Sequence, residues 1–142
     1  LMFTGCSNSE TNSTSRGLTD FAHIEEEYLA TIDSLNWPDG ITLPDKLEDE
    51  DTGASFQVGY GETRASYLWE YSWMKEWLDT YNTDPERAEK ALEELEKAFD
   101  MPYMGIDRCD DATRNYLREN IDKAKLGDPS GFTESIRANY AN

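Results

Sequence analysis

Histidine occurs once, at His23, and cysteine twice, at Cys6 and Cys109, in a chain of 142 residues. Nucleophilic catalysis needs a nucleophile, a base and usually a group that orients the base, and histidine is the commonest base. A chain this poor in histidine has little from which to build such a site. Cationic residues are also scarce: 13 Lys and Arg face 30 Asp and Glu, for a net charge of -17. That field repels phosphate backbones and anionic headgroups, which argues against nucleic acid as a partner. No run of 18 or more apolar residues occurs, so no segment spans a bilayer as a helix and any membrane attachment would be chemical. What the chain does have is 37% hydrophobic residues, including four Trp, eight Tyr and five Phe. Disordered acidic chains lack such aromatic content, so the acidity reads as the solvated surface of one folded unit.

The apolar spacing predicts an all-α fold, a single compact domain of four to five helices spanning 18–142. Phe21, Ile24, Tyr28, Leu29 and Ile32 recur at three- and four-residue intervals, which predicts a first helix from Leu18 to about Leu35, with Thr19 or Asp20 as N-cap. From 36 to 61, Pro38, Gly40, Pro44, Gly53, Gly59 and Gly61 break any helix, while Ile41, Leu43, Leu47, Phe56, Val58 and Tyr60 offer apolar anchors. A long, ordered, irregular connection with short extended pieces is expected there. Glu62 to about Tyr81 reads as the central helix, with Tyr67, Tyr71, Met74, Trp77, Leu78 and Tyr81 in one stripe. Asp84 and Pro85 then open a third helix through Phe99, braced by Glu86 with Lys90 and Glu93 with Lys97. A fourth runs from about Asp110 to Lys125 with Ala112, Tyr116, Leu117, Ile121 and Ala124 inward, and a fifth follows Asp128-Pro129 with Phe132, Ile136 and Tyr140 inward.

Few residues invite chemistry. His23 precedes Glu25, Glu26 and Glu27 and is expected on a partly solvated helix edge. Cys109 lies among Asp107, Asp110 and Asp111, whose charges oppose thiolate formation, so a buried, inert thiol is expected. The acidic run from Asp45 to Gly53 offers oxygen ligands, but counted from Asp49 the calcium-loop pattern fails: Gly53 stands where a ligand belongs and Tyr60 replaces the final acid. No metal, cofactor or catalytic residue is therefore assigned. On the second helix, Trp69 and Trp73 continue around from the apolar stripe to nearly the opposite face. Either another element covers them, the outcome favoured here, or they stay exposed beside Tyr60 as aromatic platforms for a partner or a sugar ring.

The first residues carry the most specific signal. Phe3, Thr4, Gly5 and Cys6 follow an apolar start, and Ser7 to Gly17 contains no apolar residue. The tetrad resembles the lipobox of bacterial lipoproteins, and the polar stretch resembles the flexible tether that such proteins carry. The resemblance implies that 1–5 are a signal-peptide remnant and that Cys6 carries diacylglycerol with a further chain, palmitate among the candidates. Two or more chains anchor stably where one is marginal. It also implies an extracytoplasmic location on the bacterial membrane and leaves Cys109 without a disulfide partner. Gly59-Tyr60-Gly61-Glu62 and the Trp-rich helix, roughly residues 56–80, are similar to uncharacterised lipoproteins of actinobacteria, a likeness that implies no activity. The expected role is a non-enzymatic module that binds an envelope protein; binding of a glycan or small ligand through Trp69, Trp73 and Tyr60 is the alternative, and an envelope hydrolase comes third.

Overall fold

The structure, a computed structural model, describes residues 17–140; the lipobox-like Phe3–Cys6 and the polar residues up to Arg16 lie outside the described residues. The fold is all-α, with five α-helices among the described residues: α1 (Phe21–Ser34), α2 (Tyr60–Thr80), α3 (Pro85–Glu96), α4 (Asp111–Lys125) and α5 (Ser130–Asn139). The described chain groups into two units that meet within α2, between Trp69 and Glu70.

In the first unit, Asp20 accepts the His23 amide at 3.0 Å from extended backbone and starts α1. A capping residue has non-helical backbone, which leaves the residues before it able to pair as a strand. Leu18–Thr19 therefore form β1 rather than the first helical turn, antiparallel to β2 (Phe56–Gln57), with Leu18 opposite Gln57 and Thr19 opposite Phe56. Ile24, Tyr28 and Ile32 form the buried stripe of α1, packed with Leu47 and Ala65 and ringed by Phe21, Leu29, Trp37, Phe56, Tyr60 and Leu68. The irregular connection is held at defined points. The Trp37 indole N–H donates to the Ile32 carbonyl at 2.9 Å, and Glu25 accepts the Leu47 amide at 3.0 Å. Ile41 and Leu43, expected as anchors, are exposed instead. The second helix begins two residues before its expected start and takes Gly61 inside it.

In the second unit, Asp84 caps α3 through the Arg87 amide and Asp110 caps α4 through the Thr113 amide. The α-helix expected to reach Phe99 gives way after Glu96 to 3-10 turns at Lys97–Asp100 and Pro102–Met104, because Pro102 and Gly105 end regular helix nearby. The expected Glu86–Lys90 and Glu93–Lys97 braces are replaced. Lys90 and Lys97 both reach the buried Glu94, each at 2.9 Å. Burial alone would push the Glu94 carboxyl up, but hydrogen bonds from Lys97 and Lys90 outweigh it and hold the group below its ordinary value. Glu96 ties α3 to α4 through Lys125 at 2.6 Å and Arg118 at 2.9 Å, and the Arg118 guanidinium lies 4.2 Å from the Phe99 ring centre. Trp77 stacks on Tyr81 at 4.3 Å and meets Phe132 of α5 edge-on at 5.5 Å. Ala112, expected inward, is exposed, and Asn120 is buried instead.

Candidate functional site

Four carboxylates among the described residues, those of Glu27, Glu50, Glu70 and Glu94, turn toward protein donors inside the fold. Glu27, on α1, accepts the Gly59 amide at 2.9 Å and 3.0 Å with its two oxygens and the Gly61 amide at 3.0 Å. These are N–H groups at the start of α2, which a helix cannot satisfy internally, and a negative charge there also meets the positive end of the helix dipole. His23 places Nε2 3.2 Å from the same carboxylate. The sequence allows this approach for two reasons. Gly59 has a φ of +100°, a conformation that favours glycine. Gly61 packs so closely on α1 that a Cβ there would lie 1.9 Å from the Ile24 carbonyl oxygen.

Glu50 forms the second arrangement. It accepts the Tyr60 hydroxyl at 2.7 Å and pairs with Arg64. Burial pushes the Tyr60 phenol above its ordinary value, and the hydrogen bond to Glu50 adds to the rise. The ring of Tyr60 stacks on Phe56 at 5.6 Å. Tyr60 is thus committed to a half-buried aromatic and polar cluster that fastens the acidic run to α2. Within that run Asp51 accepts the Gly53 amide at 2.9 Å, so Glu50 serves side chains of α2 and Asp51 the turn of its own backbone. Among the described residues no three His, Cys, Asp or Glu side chains converge as metal ligands.

Glu70 and Glu94, in the second unit, differ in kind. Glu94 has two lysines; Glu70 is buried on α2 and receives the Tyr103 hydroxyl at 2.6 Å, with no ion pair reaching it among the described residues. Burial pushes the Glu70 carboxyl up to about 7, against a smaller lowering from the Tyr103 hydrogen bond. It is an acid that holds its proton into the neutral range. Sequence reasoning passed over it, although the signal existed: Glu70 stands three residues after Tyr67 and four before Met74, within the apolar stripe.

The two indoles singled out by the sequence are not on the surface. Trp69 is 1% exposed and Trp73 is 3% exposed, and burial extends around α2 through Ala65, Ser66, Tyr67, Glu70, Ser72, Met74 and Trp77. The expected alternative in which both rings stay open as platforms is corrected accordingly, because a helix apolar nearly all round is covered nearly all round. The Trp69 indole N–H has no hydrogen-bond partner among the described residues, so that side chain contributes its volume and not its polar handle. His23 sits on an exposed helix edge as expected, and Cys109 is buried as a thiol with its sulfur 3.9 Å from that of Met104. A Trp37→Phe variant, which removes the half-buried indole and leaves the buried Trp69, Trp73 and Trp77, is expected to show tryptophan emission blue-shifted from that of the urea-unfolded chain and resistant to iodide, with no quenching by cell-wall sugars. Strong iodide quenching in the folded state would contradict the burial. No family model, no curated protein and no solved structure matches the chain.

Proposed function

We propose that the protein is a lipid-anchored, extracytoplasmic, non-enzymatic module that binds another protein of the bacterial cell envelope. The observation that carries the reading is Cys6 behind Phe3, Thr4 and Gly5, followed by a stretch without apolar residues that reaches Gly17, with folded chain from Leu18 onward. Acyl chains on Cys6 supply the membrane affinity that no helix of the described residues is long and apolar enough to provide.

Charge supplies the kind of partner. Residues 17–69 carry twelve Asp and Glu against Lys46 and Arg64 alone, and both cations already pair with Glu48 and Glu50. Such a surface attracts a cationic protein face, raising the association rate and making it salt-dependent. Two measurements test the reading. In detergent phase separation the wild-type protein made in its bacterial host is expected in the detergent phase and the Cys6→Ala variant in the aqueous phase; an aqueous wild-type protein would refute the anchor. Cross-linking in intact cells is expected to recover a specific envelope protein, with recovery reduced by Glu48→Gln, Asp49→Asn and Asp51→Asn together. Recovery unaffected by these changes would refute the acidic contact surface.

A further inference from the structure

The connection between α1 and α2 is tied near its start by the Trp37 indole on Ile32 and again at the Leu47 amide on Glu25. Between these ties lies a turn at Asp39 and Gly40, both exposed. Gly40 has a φ of +83° and open space where a Cβ would stand. Neither the Asp39 carboxyl nor the Gly40 amide has a hydrogen-bond or ion-pair partner among the described residues. Asp39 is also the one aspartate of the chain that a glycine follows, and no asparagine precedes a glycine. Other aspartates are occupied: Asp20, Asp84 and Asp110 accept amides at helix starts, and Asp51 and Asp128 accept the amide two residues on. Asp33 lies inside α1, where the next amide belongs to the helix ladder.

We propose that Asp39 is a self-modification site, at which the folded protein converts the Asp39–Gly40 peptide link to a β-linked isoaspartate through a succinimide. The Gly40 nitrogen attacks the side-chain carbonyl carbon of Asp39; the new C–N bond forms as the carboxyl loses its hydroxyl and the nitrogen its hydrogen, which leave together as water. A second water then opens the ring. Attack at the side-chain carbon breaks the new bond and returns aspartate, whereas attack at the former main-chain carbon breaks the original peptide bond and leaves the chain running through the side chain. Closure needs an amide free of hydrogen bonds, a following residue without a side chain to crowd the ring, and a backbone free to turn, and Gly40 supplies all three. The product adds one atom to the main chain and frees an α-carboxylate, so the charge is unchanged. The ties at Trp37 and Leu47 lie outside the altered link, and the fold is retained.

Incubation of the folded full chain for weeks at neutral pH in water enriched in heavy oxygen tests this, with peptide mass spectrometry against an unincubated sample. Each cycle leaves one heavy oxygen at Asp39, and the peptide that spans it is expected to split into aspartate and isoaspartate forms that separate by chromatography. Label at Asp39 is expected to exceed that at every other aspartate of the described residues by roughly tenfold, the combined effect of a missing side chain and a missing hydrogen bond on the barrier. Asp39→Glu, whose closure would need a larger ring, is expected to lose the label and the second form at this position. A synthetic peptide of residues 36–47 sets the rate of the unrestrained chain, and the folded protein is expected to convert within about threefold of it. Absence of label at Asp39 in the folded protein while the peptide converts would overturn the proposal, because the fold would then hold the turn closed to cyclisation. Label spread equally over the aspartates, or an unchanged pattern in Asp39→Glu, would overturn it as well.

Discussion

Gly61→Ala is expected to destabilise the protein by about 3 kcal/mol, although the same change at an ordinary helix position would stabilise it by up to about 1 kcal/mol. Two effects compete at this residue, which lies inside α2. Alanine favours helix because it restricts the unfolded chain, and that gain exists here too. Against it stands geometry: the added Cβ would lie 1.9 Å from the Ile24 carbonyl oxygen, 2.9 Å from its carbon and 3.0 Å from the Glu27 Cβ. Two of the three obstacles are backbone, so a rotamer change cannot clear them and the start of α2 must move off α1. That movement also lengthens the Glu27 hydrogen bonds to Gly59 and Gly61, which makes the loss larger than overpacking alone. Chemical denaturation followed by circular dichroism measures it. A stable Gly61→Ala protein would mean that α1 and the start of α2 do not approach as described.

Glu27→Ala carries the second large effect, an expected loss of about 2 to 3 kcal/mol. The carboxylate oxygens serve two amides at the α2 N-terminus, and truncation leaves both unsatisfied in a partly buried place while it removes the charge that meets the helix dipole. Glu27→Gln retains one acceptor oxygen and the side-chain length, so about half of the loss is expected to return. Glu26→Ala, one residue away on an exposed position of α1, is the matched control and is expected to change stability by less than about 0.5 kcal/mol. Equal losses at Glu26 and Glu27 would show that the acidic run acts only as surface charge. Because Gly61 and Glu27 act on the same junction, the double substitution is expected to cost less than the sum of the two.

The contrast between Glu26 and Glu27 shows what the sequence holds and what it withholds. Helices are local: the three- and four-residue spacing of Ile24, Tyr28 and Ile32 and the caps Asp20 and Asp84 appear in the sequence and in the structure alike. Boundaries shifted where a non-local partner intervened. Leu18 and Thr19 pair with residues almost forty positions away, and such a register leaves no local trace. Gly61 counts as a helix breaker by propensity, yet it is helical because another backbone passes over it.

The polar interior was the least legible part. With thirty acids in the chain, nothing in the spacing separates Glu27, Glu50 or Glu94, which answer to donors, from the solvated remainder. Tyr60 was nominated as part of an open surface and is instead committed to Glu50 and Phe56. For Trp69 and Trp73 the arc of aromatic positions posed the right question, and only packing could answer it. Glu70 was the one acid the pattern could have marked, as a carboxyl inside an apolar stripe.

The central functional claim rests on Cys6, and fatty-acid labelling addresses it without reference to the fold. Cells given an alkynyl fatty acid are expected to yield labelled wild-type protein whose label maps to Cys6, while Cys6→Ala accumulates unlabelled. Equal label in both proteins, or label in neither, would contradict the anchor and with it the envelope assignment.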